Sequence, residues 1–414
     1  MSTVAAAKPG GFAAFGVRNF RRFVGGQSVS LVGSWVDTVA QGLLVLQIGG
    51  NGVMLGVVVA ARYLPVLLLT PVAGLVVDRS NKRHILIGTA IALGLLAGTL
   101  AVLVFTQTAT LWAVILIALG FGVASALDNP ARLAFIQELV EPDLIRNAVS
   151  LNSTFVNVGR AVGPLVAAVL VATVGIGWCF VVDALSFVAV LLALLWLRTG
   201  DLYPSKRGGR GKRGLRGGLR LAARTEEVLV PLLMMALIGT FTYEFEVSLP
   251  LLAKGAFGRA EDYPWLIGAF GVGSVAGGLW NAFRGRTGVR RMMAAAAVFA
   301  VAMAATAVAP SPLVAVPLLV VVGFASITFI TTGNTTVQLA APPEYRGRVT
   351  ALWSTAFLGS TPIGSLIIGT IGNVDARVAV GVGAAACVVA FVVAAILHRV
   401  RGGHDAPQPD AQAT

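Results

Sequence analysis

The chain has 414 residues, 57% of them hydrophobic and 12% charged, with a mean hydropathy of +0.85. Soluble domains carry about 25% charged residues, so composition excludes a soluble globular class and implies an integral membrane protein. The net charge of +13 would suit nucleic acid, but the basic residues flank apolar runs, which reads as a topology signal and sets nucleic acid aside.

A hydrocarbon core of about 30 Å needs about 20 apolar residues per helix. Twelve runs satisfy this: 22–48, 53–77, 84–106, 110–128, 147–173, 177–198, 228–252, 263–283, 289–309, 312–335, 349–371 and 377–398. The expected fold class is all-α and membrane-spanning. Met1 to Gly16 lacks a basic region followed by a short apolar core, so no cleavable signal is expected. Cys179 and Cys387 both fall in apolar runs, which argues against a disulfide framework or a cysteine metal site. Of the 31 Lys and Arg, Lys254, Arg259 and Arg377 fall on one side and Arg62 and Arg160 within spans. The other 26 (31 − 3 − 2) share the opposite side, which marks it as cytoplasmic and places both termini there.

In span one, Gln27, Ser30, Ser34, Asp37 and Gln41 recur at steps of three and four and share a helix face. A bare carboxylate at the bilayer centre costs at least about 2.5–3.5 kcal/mol. This face is therefore expected to look into a bundle interior or a wet cavity. A static ion pair between Asp37 and Arg62 of span two is the alternative to a working carboxylate.

Between spans two and three, Gly74, Asp78, Arg79, Lys82 and Arg83 form Gly-x-x-x-Asp-Arg-x-x-Lys-Arg, with Ser80-Asn81 where a Gly usually precedes the basic pair. Here the chain resembles the major facilitator superfamily. The resemblance implies two pseudo-symmetric six-helix bundles, with spans one, four, seven and ten lining a cavity. It also implies that Asp78 and Arg79 latch the bundles together on the cytoplasmic side. A basic turn that only sets orientation is the plainer reading. The second half holds a degenerate copy, Gly278-Leu279-Trp280 with Arg284-Gly285-Arg286 and Arg290-Arg291, without the Asp.

Span five carries Gly159, Gly163 and Pro164 as Gly-x-x-x-Gly-Pro, followed by small residues. This resembles the signature of the antiporter branch, although Ser150 and Ala167-Ala168 stand where the branch has Gly. Small residues let helices approach and Pro bends the helix, so ordinary helix packing would also account for it. Leu64-Pro65 and Asp128-Asn129-Pro130-Ala131-Arg132 extend the likeness. The N-terminal half is similar to the branch of enterobactin exporters and macrolide efflux proteins, and the C-terminal half more thinly so. That branch implies export of a bulky amphipathic metabolite or drug, across a bacterial inner (cytoplasmic) membrane, by a monomer.

Residues 200–227 join the halves and are strongly basic, with Lys206-Arg207 and Lys212-Arg213. The run is no phosphate loop, because Lys206 stands where a Gly is required and Arg213 where Ser or Thr is. After it, Leu215 and Leu219 face away from Arg216, Arg220 and Arg224, which predicts a short helix in the inner membrane interface, either binding anionic lipid or anchoring topology. The expected organisation is 1–199, a linker 200–227, and 228–414. The halves repeat without gaps at a spacing of 201 (338 − 137), pairing Gly122 with Gly323, Gln137 with Gln338, Ser153 with Ser354 and Gly163 with Gly364. A parallel repeat of this kind is a known transporter design.

Span seven contributes Glu244 and Glu246. Two residues apart, they should point to different faces, Glu246 into the seam and Glu244 toward the outer mouth. Buried carboxylates can carry protons, so the resemblance makes Asp37 the first proton-coupling candidate, Glu246 the second and Glu244 the third. Asp183 of span six reads as a structural hydrogen-bonding group. Gln27, Ser34, Gln41, Asn157, Arg160, Thr331 and Asn334 are the expected substrate-cavity residues, with Arg160 either binding an anionic group or balancing a carboxylate. The three histidines, His84, His398 and His404, lie at cytoplasmic ends, and no His-Glu-x-x-His occurs. Neither an enzyme, a metal nor a cofactor is expected. The functional expectation is a proton antiporter partnered by a small molecule, protons and lipid. The alternatives are proton-coupled uptake by symport and a transport-inactive receptor or scaffold.

Overall fold

The computed structural model describes residues 12–203, 215–284, 287–342 and 345–401. The basic run 206–213 and Gly285-Arg286 of the degenerate copy lie outside them. The described residues form helices throughout, and twelve segments are long and apolar enough to cross a membrane. The first six are α1 (Arg18–Gln47), α2 (Gly52–Arg79), α3 (Lys82–Phe105), α4 (Leu111–Glu138), α5 (Ile145–Thr173) and α6 (Ile176–Leu195). A short helix, α7 (Leu215–Arg224), stands where the sequence predicts one and packs on α8 and α13. The second set is α8 (Glu226–Phe241) with α9 (Phe245–Leu251), then α10 (Tyr263–Arg284), α11 (Val289–Ala307), α12 (Pro312–Ala340), α13 (Arg346–Leu358) with α14 (Thr361–Val374), and α15 (Ala376–Arg401). Local chemistry starts several of them. The side chains of Asn51, Asn81 and Thr110 accept from the first free amides of α2, α3 and α4.

Spans seven and eleven are each two helices, where one was expected. In span eleven the helix breaks at Gly359–Ser360, where Pro362 has no N–H to offer the Leu358 carbonyl, and Pro362 is accepted in the first turn of α14. In span seven the break at Thr242–Glu244 is held by distant groups. The Thr242 hydroxyl donates to the Gly383 carbonyl at 2.8 Å and the Tyr243 hydroxyl to the Ser326 carbonyl at 2.8 Å.

The repeat has a structural counterpart in its glycines. A Cβ at Gly122 of α4 would strike the Arg62 carbonyl of α2, and one at Gly323 of α12 would strike the Phe270 carbonyl of α10. Likewise Gly163 of α5 lies against Trp35 of α1, and Gly364 of α14 against Thr240 of α8. Equivalent glycines thus permit equivalent close crossings in the two halves, as membrane helices use small residues.

The two halves meet through α2 on α14 and α5 on α10. The tightest contacts lie at the end opposite the chain termini. There Gly52 and Gly369 each approach the other's carbonyl, Gly56 abuts Ser365, and Gly268 meets Leu165. Lys254 Nζ donates to the Leu46 carbonyl at 3.0 Å and the Gly52 amide to Asn373 Oδ1 at 3.4 Å, so polar bonds join the halves at that end as well. Toward the terminal end, Ser153, Thr154, Thr331 and Thr355 are exposed.

Candidate functional site

A cavity of 120 Å³ lies between the halves, lined by Trp35, Tyr63 and Arg160 from the first and Tyr243, Glu244, Phe245, Glu246, Phe270 and Phe357 from the second. Its floor is aromatic. Tyr243 and Phe357 meet edge to face with centroids 5.2 Å apart, and Phe245 and Phe270 lie 4.4 Å apart. Both carboxylates of span seven reach this cavity. On a continuous helix, residues two apart face different ways. The break at Thr242–Glu244 removes that constraint, which corrects the expectation that Glu244 points to the outer mouth.

Glu246 accepts a hydrogen bond from the Tyr63 hydroxyl at 2.9 Å, across the boundary between the halves. Glu244 is 2% exposed and its Oε1 has no hydrogen-bond partner. Arg160 lies over the Trp35 ring, 5.3 Å from its centroid, and makes no ion pair among the described residues, with its buried Nε unpartnered. The side chain of Asn157 lies outside the described residues.

Asp37 sits elsewhere. It is fully buried within the first half and its Oδ2 accepts from Arg62 Nη1 at 2.9 Å. The same nitrogen donates to Gln41 Oε1 at 3.2 Å, and the guanidinium covers the Phe121 ring at 4.8 Å. Gln27 and Ser34 line a second cavity of 160 Å³ inside the first half, with Arg62, Asp128 and Arg132. The polar stripe of α1 therefore turns into its own bundle, while Trp35, one position from Ser34, faces the central cavity. The reason is legible in hindsight. Gly26 and Gly33 border the stripe, and α6 packs on them through Ala189, Ala193 and Ser186. Of the expected substrate residues, Arg160 lines the central cavity, whereas Gln27, Ser34 and Gln41 do not. Thr331 is exposed and Asn334 half-buried on α12, away from the cavity lining, with Asn334 Oδ1 accepting from Gln338 at 3.0 Å. Tyr63 and Trp35, which the sequence reading passed over, are the neighbours of the two noted groups Arg62 and Ser34.

At the terminal end, Asp78 and Arg79 close α2 and are exposed, with no ion pair to the second half among the described residues. Lys82 pairs with Glu138 at 2.9 Å and Arg83 Nε donates to the Leu194 carbonyl at 2.9 Å, so both are tied within the first half. Gly74 has open space around it. Gly159 and Gly163 bring α5 against Leu31 and Trp35 of α1, and Pro164 lies within α5. Among the described residues no group of three His, Cys, Asp or Glu side chains could hold a metal ion.

The profile of a family described as transmembrane secretion effector matches residues 9–412. The multidrug efflux pump Tap of Mycolicibacterium fortuitum is 28% identical, over 82% of this chain and 86% of that protein. The macrolide efflux protein A of Streptococcus pyogenes is 23% identical, over 83% and 86%. The staphyloferrin A transporter of Staphylococcus aureus is 34% identical over 39% of this chain and 42% of its own length. Among solved structures, the inward-facing, unoccupied bacterial homologue of the lysosomal transporter Spinster superposes with a TM-score of 0.70 at 16% identity, covering 95% of this chain and 97% of that one. The nucleoside transporter NupG gives 0.72 at 14% identity, covering 92% and 99%. At such identities these likenesses show the major facilitator fold alone.

Proposed function

Because the chain belongs to the transmembrane secretion effector family of major facilitator transporters, we propose that it exports a bulky amphipathic small molecule, siderophore-like or drug-like, by proton antiport with alternating access. It is a multi-pass membrane transporter and not an enzyme. The export direction rests on relatives named for efflux of macrolides and multiple drugs.

One observation carries the proton reading. Consecutive residues of α2 touch a carboxylate of each half, Arg62 reaching Asp37 and Tyr63 reaching Glu246. A proton arriving at either carboxylate weakens an attraction within or between the halves, so protonation can bias one arrangement over the other. In this scheme residues 1–199 and 228–414 rock about the central cavity, joined by the basic segment 200–227. The termini lie in the cytoplasm of a bacterial cell and the tight end faces out, so the cavity opens inward here. Asp78 and Arg79 then stand at the open end and would engage the second half only when that end closes. Substrate enters from the cytoplasm onto the aromatic floor near Arg160 and leaves once the outer end opens.

Arg160 favours a second reading. A half-buried cation without an ion pair among the described residues, near Glu246, would let an anionic substrate and a proton travel together, which is symport. Proteoliposomes separate the two. With a panel of siderophore-like and drug-like compounds, antiport requires that an outside-acid gradient speeds outward substrate movement, and symport that it speeds uptake. Cysteine labelling tests the orientation. A cysteine at position 205 should resist an outside reagent and one at Gly258 should react, and labelling at 205 would reverse the topology.

A further inference from the structure

We propose that Asp37 and Asp183 hold one proton between them beside Arg62, forming a proton site inside the first bundle and separate from the substrate cavity. This rests on the proton-antiport reading for its role in transport, but the site itself stands on geometry.

Asp183 of α6 is fully buried, as Asp37 is. It presses against α1 one turn before Asp37, because Gly33 leaves room. A Cβ at 33 would lie 2.9 Å from Asp183 Oδ1 and 2.5 Å from the Ser186 hydroxyl. Asp183 Oδ1 is within 3.3 Å of the Ser186 hydroxyl and 3.5 Å of the Ser34 hydroxyl. The Ser186 hydroxyl also donates to the Asp183 carbonyl at 2.7 Å, which leaves the carboxylate little donation from it. Asp37 Oδ1 and Asp183 Oδ2 are both buried and both lack a hydrogen-bond partner. An orphaned carboxylate oxygen on each of two neighbouring acids is what a shared proton would fill.

Charge balance points the same way. From α2 comes Arg62 alone, bonded to Asp37. On α6, Cys179 is buried one turn from Asp183. On α4, Asp128 accepts from the Thr89 hydroxyl of α3 at 2.8 Å and lies 3.9 Å from Arg132, so these charges answer each other. Arg160 of α5 is engaged with the Trp35 ring on the other side of α1. Beyond Arg62, Glu246 of α9 is held by Tyr63, and Tyr263 of α10 adds a buried hydroxyl without a partner. The interior of the first bundle thus holds two buried carboxylates and one guanidinium, which is bonded to Asp37. Two unlike charges satisfy each other in an apolar interior, whereas a third, unpaired charge is costly. One shared proton brings the triad to neutrality, as like carboxylates in one site require.

The site also has a path. The cavity of 160 Å³ touches it at Ser34 and Arg62 and continues past Gln27 and Asp128 to Arg132. Those residues lie toward the end that carries the termini, so protons reach the pair without crossing the substrate cavity.

Infrared difference spectra of the purified protein in lipid test the pair without any substrate. A buried carboxylic acid shows a carbonyl stretch distinct from carboxylate. The proposal expects such a band at neutral pH in the wild type, lost in both Asp37→Asn and Asp183→Asn, since either leaves one carboxylate opposite Arg62. The spectra are compared in the Glu244→Gln background, because Glu244 is the other buried acid without a partner and would contribute a band of its own. A wild type without a protonated band, or a band that survives in either Asp variant, overturns it. If one variant does not fold, the other still decides. A second measurement separates this from the functional reading. If wild-type transport ignores a proton gradient, antiport fails while the spectra still decide the pair. If the gradient drives wild type and Asp183→Asn equally, the shared proton is not the transported one and the role of the pair in transport is overturned.

Discussion

Tyr63 of the first half donates its hydroxyl proton to Glu246 of the second at 2.9 Å. Tyr63 follows Arg62, which holds Asp37, so one turn of α2 connects an acid in a bundle interior to an acid at the boundary between bundles. A hydrogen bond to a charged group contributes about 1.5–3 kcal/mol. Tyr63→Phe should therefore loosen the closed end opposite the termini. Spin labels at Gln47 and Val374, both exposed at that end on opposite halves, should show a larger population at long distance in the variant. An unchanged distance distribution would remove this bond from the gate.

Gly52 and Gly369 allow a close crossing of the halves. Gly52→Val inserts a side chain against a carbonyl, and overpacking costs about 1–3 kcal/mol, a shift of roughly 5- to 150-fold in an equilibrium. Substrate binding from the cytoplasmic side should weaken and transport should slow, with the folded fraction in detergent unchanged. Normal transport would mean that this crossing is not remade in each cycle.

The buried pair of Arg62 and Asp37 makes a stability test. Removing one partner of a buried ion pair costs about 3–5 kcal/mol. Arg62→Ala should lower the melting temperature markedly, and Asp37→Asn much less, because Asp183 remains to face the guanidinium. Equal losses in the two variants would deny Asp183 that part.

Much of this was legible in the sequence. Span count follows from hydropathy alone, because each helix must hide its backbone from lipid, and the gapless glycine repeat already marked the crossings that the structure uses. The polar stripe of α1 correctly signalled a sheltered face. Its direction was not legible as read, since cavity and bundle interior both satisfy a buried carboxylate, and only Gly26 and Gly33 decide between them by admitting α6. The break before Glu244 was illegible for another reason. Nothing between Phe241 and Glu244 ends a helix by itself, and the bonds that hold the break come from Gly383 and Ser326, more than eighty residues away.

The exposed pair at the end of α2 should matter only when the inner end closes. Asp78→Asn is expected to slow turnover several-fold in reconstituted protein while leaving expression, melting temperature and substrate binding to the inward-open form unchanged. Full turnover would reduce Asp78 and Arg79 to a topology signal.

Proton-driven export through the first bundle is the central claim, and flux in proteoliposomes tests it most directly. An outside-acid gradient should accelerate outward substrate movement by the wild type several-fold. Asp37→Asn should abolish that acceleration while retaining exchange at equal pH on both sides. Full gradient dependence in Asp37→Asn, or protons and substrate moving in the same direction in the wild type, would contradict it.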